Sequence, residues 1–146
     1  MLSNSCKYGI RAVIFIAHKQ EGQGKVGLKV IGEELKIPVP YLAKILQILT
    51  KRKILDSSKG PHGGFSLLIP SKSLTLMDIV RAIDGEDFFD SCYVTGDKCN
   101  FNEPDKGVCL LHNDLRKEKE MLTQFFSGRT IDSLLRQIHK NNKLII

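Results

Sequence analysis

Apolar side chains recur along this chain with two different periods, and the places where the period changes mark out its elements. Between residues 5 and 19, Cys6, Ile10, Val13, Ile14 and Ala17 return at three- and four-residue steps, the spacing of one face of an α-helix. Tyr8, Ala12, Phe15 and Ile16 make a second apolar stripe on the same segment. Two stripes predict a helix buried on two sides, against its own core and against a partner chain. Glu21-Gly22-Gln23-Gly24 reads as a flexible loop. Residues 28–36 then suggest a short helix packing through Ile31 and Leu35, ended by Lys36-Ile37-Pro38, because proline disfavours helix in the residue before it. A second helix runs from Pro40, a residue suited to a first turn, to about Lys53. Its core stripe is Leu42, Ile45, Leu46 and Leu49, with Tyr41, Lys44, Gln47 and Lys51 outside. Two short helices joined by a tight turn, the second presenting polar groups, is the helix-turn-helix pattern.

The period then shortens. Ile54-Leu55-Asp56 and Phe65-Ser66-Leu67-Leu68-Ile69 read as two strands around Ser57-Ser58-Lys59-Gly60-Pro61-His62-Gly63-Gly64. Three glycines and a proline permit a sharp turn and let a backbone approach another molecule closely. A phosphate-cradling loop would link a strand to a helix; this one links strand to strand, which makes it a β-hairpin wing. Thr75-Leu76-Met77-Asp78 has the form of a helix start, and that helix stops at Gly85. Residues 86–108 have no periodicity. A long helix follows from about Cys109 to Phe126, with Leu111, Leu115, Leu122 and Phe125 on one face, and Gly128 ends it. Thr130 caps a last helix through Ile131, Leu134, Leu135 and Ile138. The expected architecture is mainly α with a small β-hairpin: a winged helix-turn-helix over 1–85, a long loop over 86–108, and two helices over 109–146.

Charge sharpens this division. The 146 residues carry a net +6, but residues 1–75 hold 12 Lys/Arg against 4 Asp/Glu, whereas residues 76–146 hold 10 against 12. A basic half that also contains a helix-turn-helix is the footprint of a double-stranded DNA binder. The segment 78–105 is acidic, with 8 Asp/Glu and 2 Lys/Arg, which would keep it off DNA. No apolar run is long enough to span a bilayer, and the N-terminus does not fit a secretory signal, so a cytoplasmic protein without membrane contact is expected.

Four cysteines change the picture again. Cys6 lies on the apolar face of the first helix and reads as a small buried hydrophobe. Cys92, Cys99 and Cys109, with His112, concentrate three thiols and an imidazole around one irregular segment. Thiolates are the usual protein ligands of iron–sulfur clusters, and histidine can replace one of them. Zinc ligands usually come in pairs two to four residues apart, unlike the six- and nine-residue gaps here. Inert cysteines, with control by a protein partner or by thiol oxidation, form an alternative. A Cys109–His112 nucleophile–base pair is another, but no third orienting group accompanies it, and an enzyme is not expected.

The residues Tyr8-Gly9…Arg11-Ala12-Val13, Ile37-Pro38-Val39-Pro40-Tyr41-Leu42, Lys59-Gly60-Pro61-His62-Gly63-Gly64-Phe65, Leu74-Thr75-Leu76 and Ile83-Asp84-Gly85 resemble the Rrf2 family of bacterial winged-helix transcription regulators. The wing motif is the most specific of these, and the likeness covers most of the chain. It implies a homodimer paired through the long helix and bound to an inverted-repeat operator. By position, Tyr41 and Lys44 would face the major groove, and Lys59, Gly60, Pro61 and His62 would form the wing tip at the minor groove or backbone. Many members carry arginine at Lys59; lysine keeps the attraction to phosphate without the planar donor fork. Many carry glycine at His62, which is either a phosphate contact or an exposed loop histidine. Cluster-binding members have three cysteines in this same loop, and some have a histidine placed like His112. The resemblance therefore implies an iron–sulfur cluster on Cys92, Cys99, Cys109 and His112 that senses redox state, iron or nitric oxide.

Overall fold

The computed structural model describes residues 2–85, 89, 91, 96 and 111–141. Among the described residues, six helices and one hairpin follow in the order α1 (Asn4–Gln23), α2 (Leu28–Leu35), α3 (Val39–Lys51), β1 (Leu55–Ser58), β2 (Gly64–Leu67), α4 (Leu76–Ile83), α5 (His112–Gly128) and α6 (Ile131–Asn141). Cys92, Cys99 and Cys109 lie outside the described residues, and His112 is the first residue of α5.

α1 begins where the Ser3 hydroxyl accepts the Cys6 N–H at 3.0 Å, a side-chain N-cap. The same serine donates its backbone N–H to the Asp84 carboxylate at 2.9 Å and its hydroxyl to the other carboxylate oxygen, which ties the start of α1 to the end of α4. α1 is the central element and packs against α2, α3, α4, β2 and α6. Ala12, Val13, Ile14, Phe15, Ile16 and Ala17 are all buried. The expectation that a partner chain covers the second stripe is corrected at Ala12, Phe15 and Ile16, which this chain buries by itself, while Tyr8 is only partly buried. The predicted loop at 21–24 is corrected too, because α1 continues through Gln23 to a cap at Gly24. Its last turn is held from outside the helix, since Gln20 Oε1 accepts the Leu67 N–H at 2.9 Å and Glu21 pairs with His139.

The helix-turn-helix forms as the sequence predicts. Lys36 adopts the left-handed conformation after α2, its N–H returning to Glu33, while the Ile37 N–H reaches the Gly32 carbonyl at 2.9 Å. Gly32 is needed there: a Cβ would stand 3.0 Å from the Val39 side chain and 3.1 Å from the Ile37 carbonyl oxygen. α3 buries Leu42, Ile45, Leu46 and Leu49, and together with Ile16 and Ile31 they fill the main core. Burying each such side chain contributes roughly 1.5–3 kcal/mol.

The hairpin pairs Leu55 with Leu67 and Ser58 with Gly64, antiparallel. A third piece joins it, because Val26 and Phe65 exchange two backbone hydrogen bonds of 2.9 Å. α4 starts with a capping box in which Thr75 and Asp78 satisfy each other's backbone N–H groups. The Ile131 N–H donates to Leu74 and the Leu76 N–H to Arg129, so the start of α6 is stitched to the start of α4. Thr130 caps α6 through the Ser133 N–H at 3.2 Å. No helix among the described residues is long and apolar enough to cross a membrane.

Candidate nucleic-acid interface

α3 turns its polar face outward: Tyr41, Lys44, Gln47 and Lys51 are exposed, as the periodicity predicts. Pro38 accepts from the N–H groups of Tyr41 and Leu42, which closes the first turn without a side-chain cap. Lys51, Arg52 and Lys53 continue the basic surface around the end of the helix, with Lys53 in the left-handed conformation at the joint with β1.

Tyr41 does more than face solvent. Its ring meets Tyr8 edge-on at 5.8 Å, and its hydroxyl shares a 2.7 Å hydrogen bond with Ser5. The Arg11 guanidinium lies 5.7 Å from the Tyr8 ring and donates to the Leu35 carbonyl at 2.8 Å. A relay of Ser5, Tyr8 and Arg11 thus fixes the first turn of α3 and the last turn of α2 against α1. Sequence reasoning placed Tyr41 on the outer face but missed this support. The helical spacing of Ser5, Tyr8 and Arg11 on α1 was the only signal, and it does not say what the face meets.

The wing tip is exposed at Lys59, Gly60, Pro61 and His62, and the turn closes through the Gly63 N–H donating to the Gly60 carbonyl at 3.0 Å. The glycine at 64 serves the chain itself and not a foreign molecule. At φ +151° its missing Cβ would fall 2.5 Å from the Val26 carbonyl oxygen, so a side chain there would push the third strand piece away. Asp56, the acidic residue of the hairpin, pairs with Lys25 at 2.5 Å. The hydrogen bond and charge of Lys25 hold its carboxyl below the usual range, so Asp56 stays ionised, and the Lys25 ammonium offsets its negative charge beside the wing.

The structure brings Tyr41 and Lys44 together on α3 and Lys59, Gly60, Pro61 and His62 together on the wing. Of the proposed ligands it shows only that His112 opens α5. Cys6, in contrast, is fully buried beside Met77, Val80 and Phe89. Burial, with the Asp84 charge and hydrogen bond adding to it, pushes its thiol up to about 12, so it is inert, as the sequence predicts.

This geometry has relatives. A protein of Aquifex aeolicus named for the HTH-type transcriptional regulators is 31% identical over 92% of this chain and 91% of its own. The HTH-type transcriptional regulator IscR of Pectobacterium carotovorum is 28% identical over 99% of this chain and 82% of its own. Among solved structures, CymR, the global cysteine regulator of B. subtilis, superposes with a TM-score of 0.76 at 20% identity, covering 94% of this chain and 97% of that one. IscR of T. potens gives 0.77 at 20% identity, over 100% and 93%. Both share the winged-helix fold. The Rrf2 family model, described as an iron-dependent transcriptional regulator, matches residues 2–137. With the helix-turn-helix, the wing and the family model coinciding over nearly its whole length, the chain belongs to the Rrf2 family of winged-helix transcription regulators and is not an enzyme.

Proposed function

We propose that the chain acts as a homodimer on an inverted-repeat DNA operator, with α3 in the major groove and the wing against the backbone or minor groove. The observation that carries this is the pairing of two surfaces: a basic, polar face on α3 and the wing, and an uncovered apolar face on α5. Tyr41 and Lys44 would read base edges, because the start of a recognition helix enters the groove. Lys59, with Gly60, Pro61 and His62, would hold the sugar–phosphate backbone, aided by Lys51, Arg52 and Lys53. Leu111, Met121, Leu122 and Phe125 are exposed along α5, and a second copy of α5 would cover them. An unbiased selection from random duplexes should return an inverted repeat, bound by a dimer with affinity falling steeply as salt rises. Recovery of no preferred sequence would remove this reading.

We further propose that Cys92, Cys99, Cys109 and His112 hold an iron–sulfur cluster. Three thiols and an imidazole suit such a group, and iron dependence in the family description supports it. When bound, the cluster would make the protein sensitive to oxygen, nitric oxide or iron supply. The chain's own contribution is to place His112 at the first residue of α5, so that ligation would tie the segment before it to the dimer helix. A coupling of about 1–3 kcal/mol between ligation and DNA binding is enough for a switch. Anaerobic protein should contain stoichiometric iron and sulfide, and the Cys92→Ala, Cys99→Ala, Cys109→Ala variant should lack both. A colourless wild-type dimer that still binds its operator would instead assign control to thiol oxidation or a protein partner.

A further inference from the structure

The end of α1 and the end of α6 bring together three metal-ligating side chains that the regulator reading does not use. His18 and Glu21 stand three residues apart and share a face of α1, while His139 comes from α6, 118 residues after Glu21. A ligand atom from each of the three lies within 4.8 Å of the other two. His139 Nε2 is 3.1 Å from Glu21 Oε2, and the two imidazole rings are 5.7 Å apart. His18 Nδ1 is buried and has no hydrogen-bond partner among the described residues, a costly state for a ring nitrogen. Neighbouring cations are engaged elsewhere: Arg136 with Asp132 at 2.8 Å, and Lys19 over the Phe15 ring.

We propose that His18, Glu21 and His139 form a binding site for a divalent first-row transition metal, zinc being the best fit, that clips α1 to α6. Two imidazoles and one carboxylate are the three-ligand set that zinc takes when it keeps a fourth position open for water. The nitrogen donors select against magnesium and calcium, which prefer oxygen throughout. Zinc ligands about 2.1 Å from the metal stand about 3.4 Å apart in a tetrahedron, so the 3.1 Å His139–Glu21 pair already has nearly the right separation. His139 and Glu21 are 56% and 53% exposed, which leaves the open position to solvent. The turn of α1 that carries the site also holds the wing through Gln20 and Leu67. None of its three residues belongs to the cysteine segment or to the α3 and wing residues proposed to meet DNA.

The test uses untagged full-length protein with Cys92→Ala, Cys99→Ala and Cys109→Ala, so that thiols take no metal. After treatment with chelator, it is titrated with zinc chloride by calorimetry and melted with and without zinc. One zinc should bind per chain and raise Tm, and excess chelator should reverse the rise. Adding His139→Ala or Glu21→Gln should weaken binding by at least about 10-fold, the loss seen even when only a supporting group is removed. Both residues are about half exposed, so the metal-free Tm should fall only slightly, through loss of the Glu21–His139 pair, and by less than the rise that zinc gives wild type. Absence of zinc uptake at neutral pH, or uptake unchanged by His139→Ala, overturns the site. If the triple variant does not fold, wild type is compared with His139→Ala by the same titration. A stoichiometry lower by one zinc per chain then supports the site, and an unchanged one rules it out.

Discussion

Leu42, Ile45, Leu46 and Leu49 of α3 are at most 2% exposed, whereas Leu111, Met121, Leu122 and Phe125 at the start of and along α5 are between 41% and 55% exposed. Both helices are amphipathic, yet α3 hides its apolar face within its own chain and α5 leaves much of its own in water. The difference lies in what surrounds them. α3 is enclosed by α1, α2, α4 and β1. α5 packs against α4, and its Phe126 meets the Cys6, Met77, Val80 and Phe89 cluster and lies 5.7 Å from the Phe89 ring. A helix anchored on one side with exposed leucine and phenylalanine on another is what the proposed dimer would need, because exposed apolar area favours being covered. α3 is thus a finished element that offers polar groups outward, and α5 is the element through which the proposed homodimer would form.

The largest expected effect is on the finished element. Leu46→Ala should destabilise the fold by about 2–5 kcal/mol, measured by urea unfolding, since a fully buried leucine leaves a cavity. A loss below about 1 kcal/mol would mean that α3 can collapse around the gap, and the contrast with α5 would weaken.

On α5 the consequence should be association and not folding. Leu122→Glu should change the stability of the single chain by no more than about 0.5 kcal/mol, as surface substitutions usually do. Sedimentation should nevertheless shift from dimer to monomer, with operator binding lost alongside. A monomeric wild type would remove the homodimer, and a Leu122→Glu variant that remains a dimer would place the interface elsewhere.

Within the polar face, the groups should separate by the kind of contact they make. Lys59→Ala should lower the slope of log affinity against log salt by about one unit and weaken all sequences alike, as expected for a phosphate contact. Lys44→Ala should instead change which base pairs are preferred. Footprinting and selection on the two variants would distinguish them, and identical behaviour would erase the division between helix and wing.

The smallest expected effect is no reaction at all. With its thiol held up at about 12, Cys6 should resist alkylation by iodoacetamide at pH 8–9 in the folded protein and react fully in urea. Alkylation in the native state at the rate of a free thiol would contradict its burial.

Much of the helix-turn-helix was legible in the residues themselves. Leu42, Ile45, Leu46 and Leu49 recur with the helical period, Lys36-Ile37-Pro38 ends α2, and Thr75 with Asp78 makes a capping box; each of these is a contact between near neighbours. The exposed sites Lys44, Lys59, Gly60, Pro61 and His62 followed from the same local logic. The four proposed cluster ligands were legible as a donor set, by residue type and proximity along the chain.

What the tertiary structure alone decided is every feature that depends on distant partners. Periodicity showed that α1 had two apolar faces, but that Ala12, Phe15 and Ile16 of the second are buried within this chain was decided by packing. Gly22 and Gln23 looked like a loop by propensity, yet the last turn of α1 is held helical by Leu67 and His139 from far along the chain. The loop glycines were read together as allowing a sharp turn and a close approach, and the fold shows that at Gly64 the close neighbour is Val26. Tyr41 was placed on the outer face of α3 by periodicity, and only the fold shows that Ser5 and Tyr8 brace it there. That His139 joins His18 and Glu21 has no trace in the sequence, because 118 residues separate it from Glu21 until folding closes the chain. Local periods and caps are set by residues a turn apart, so the sequence determines them; which surfaces those elements cover depends on long-range packing, which only the folded chain decides.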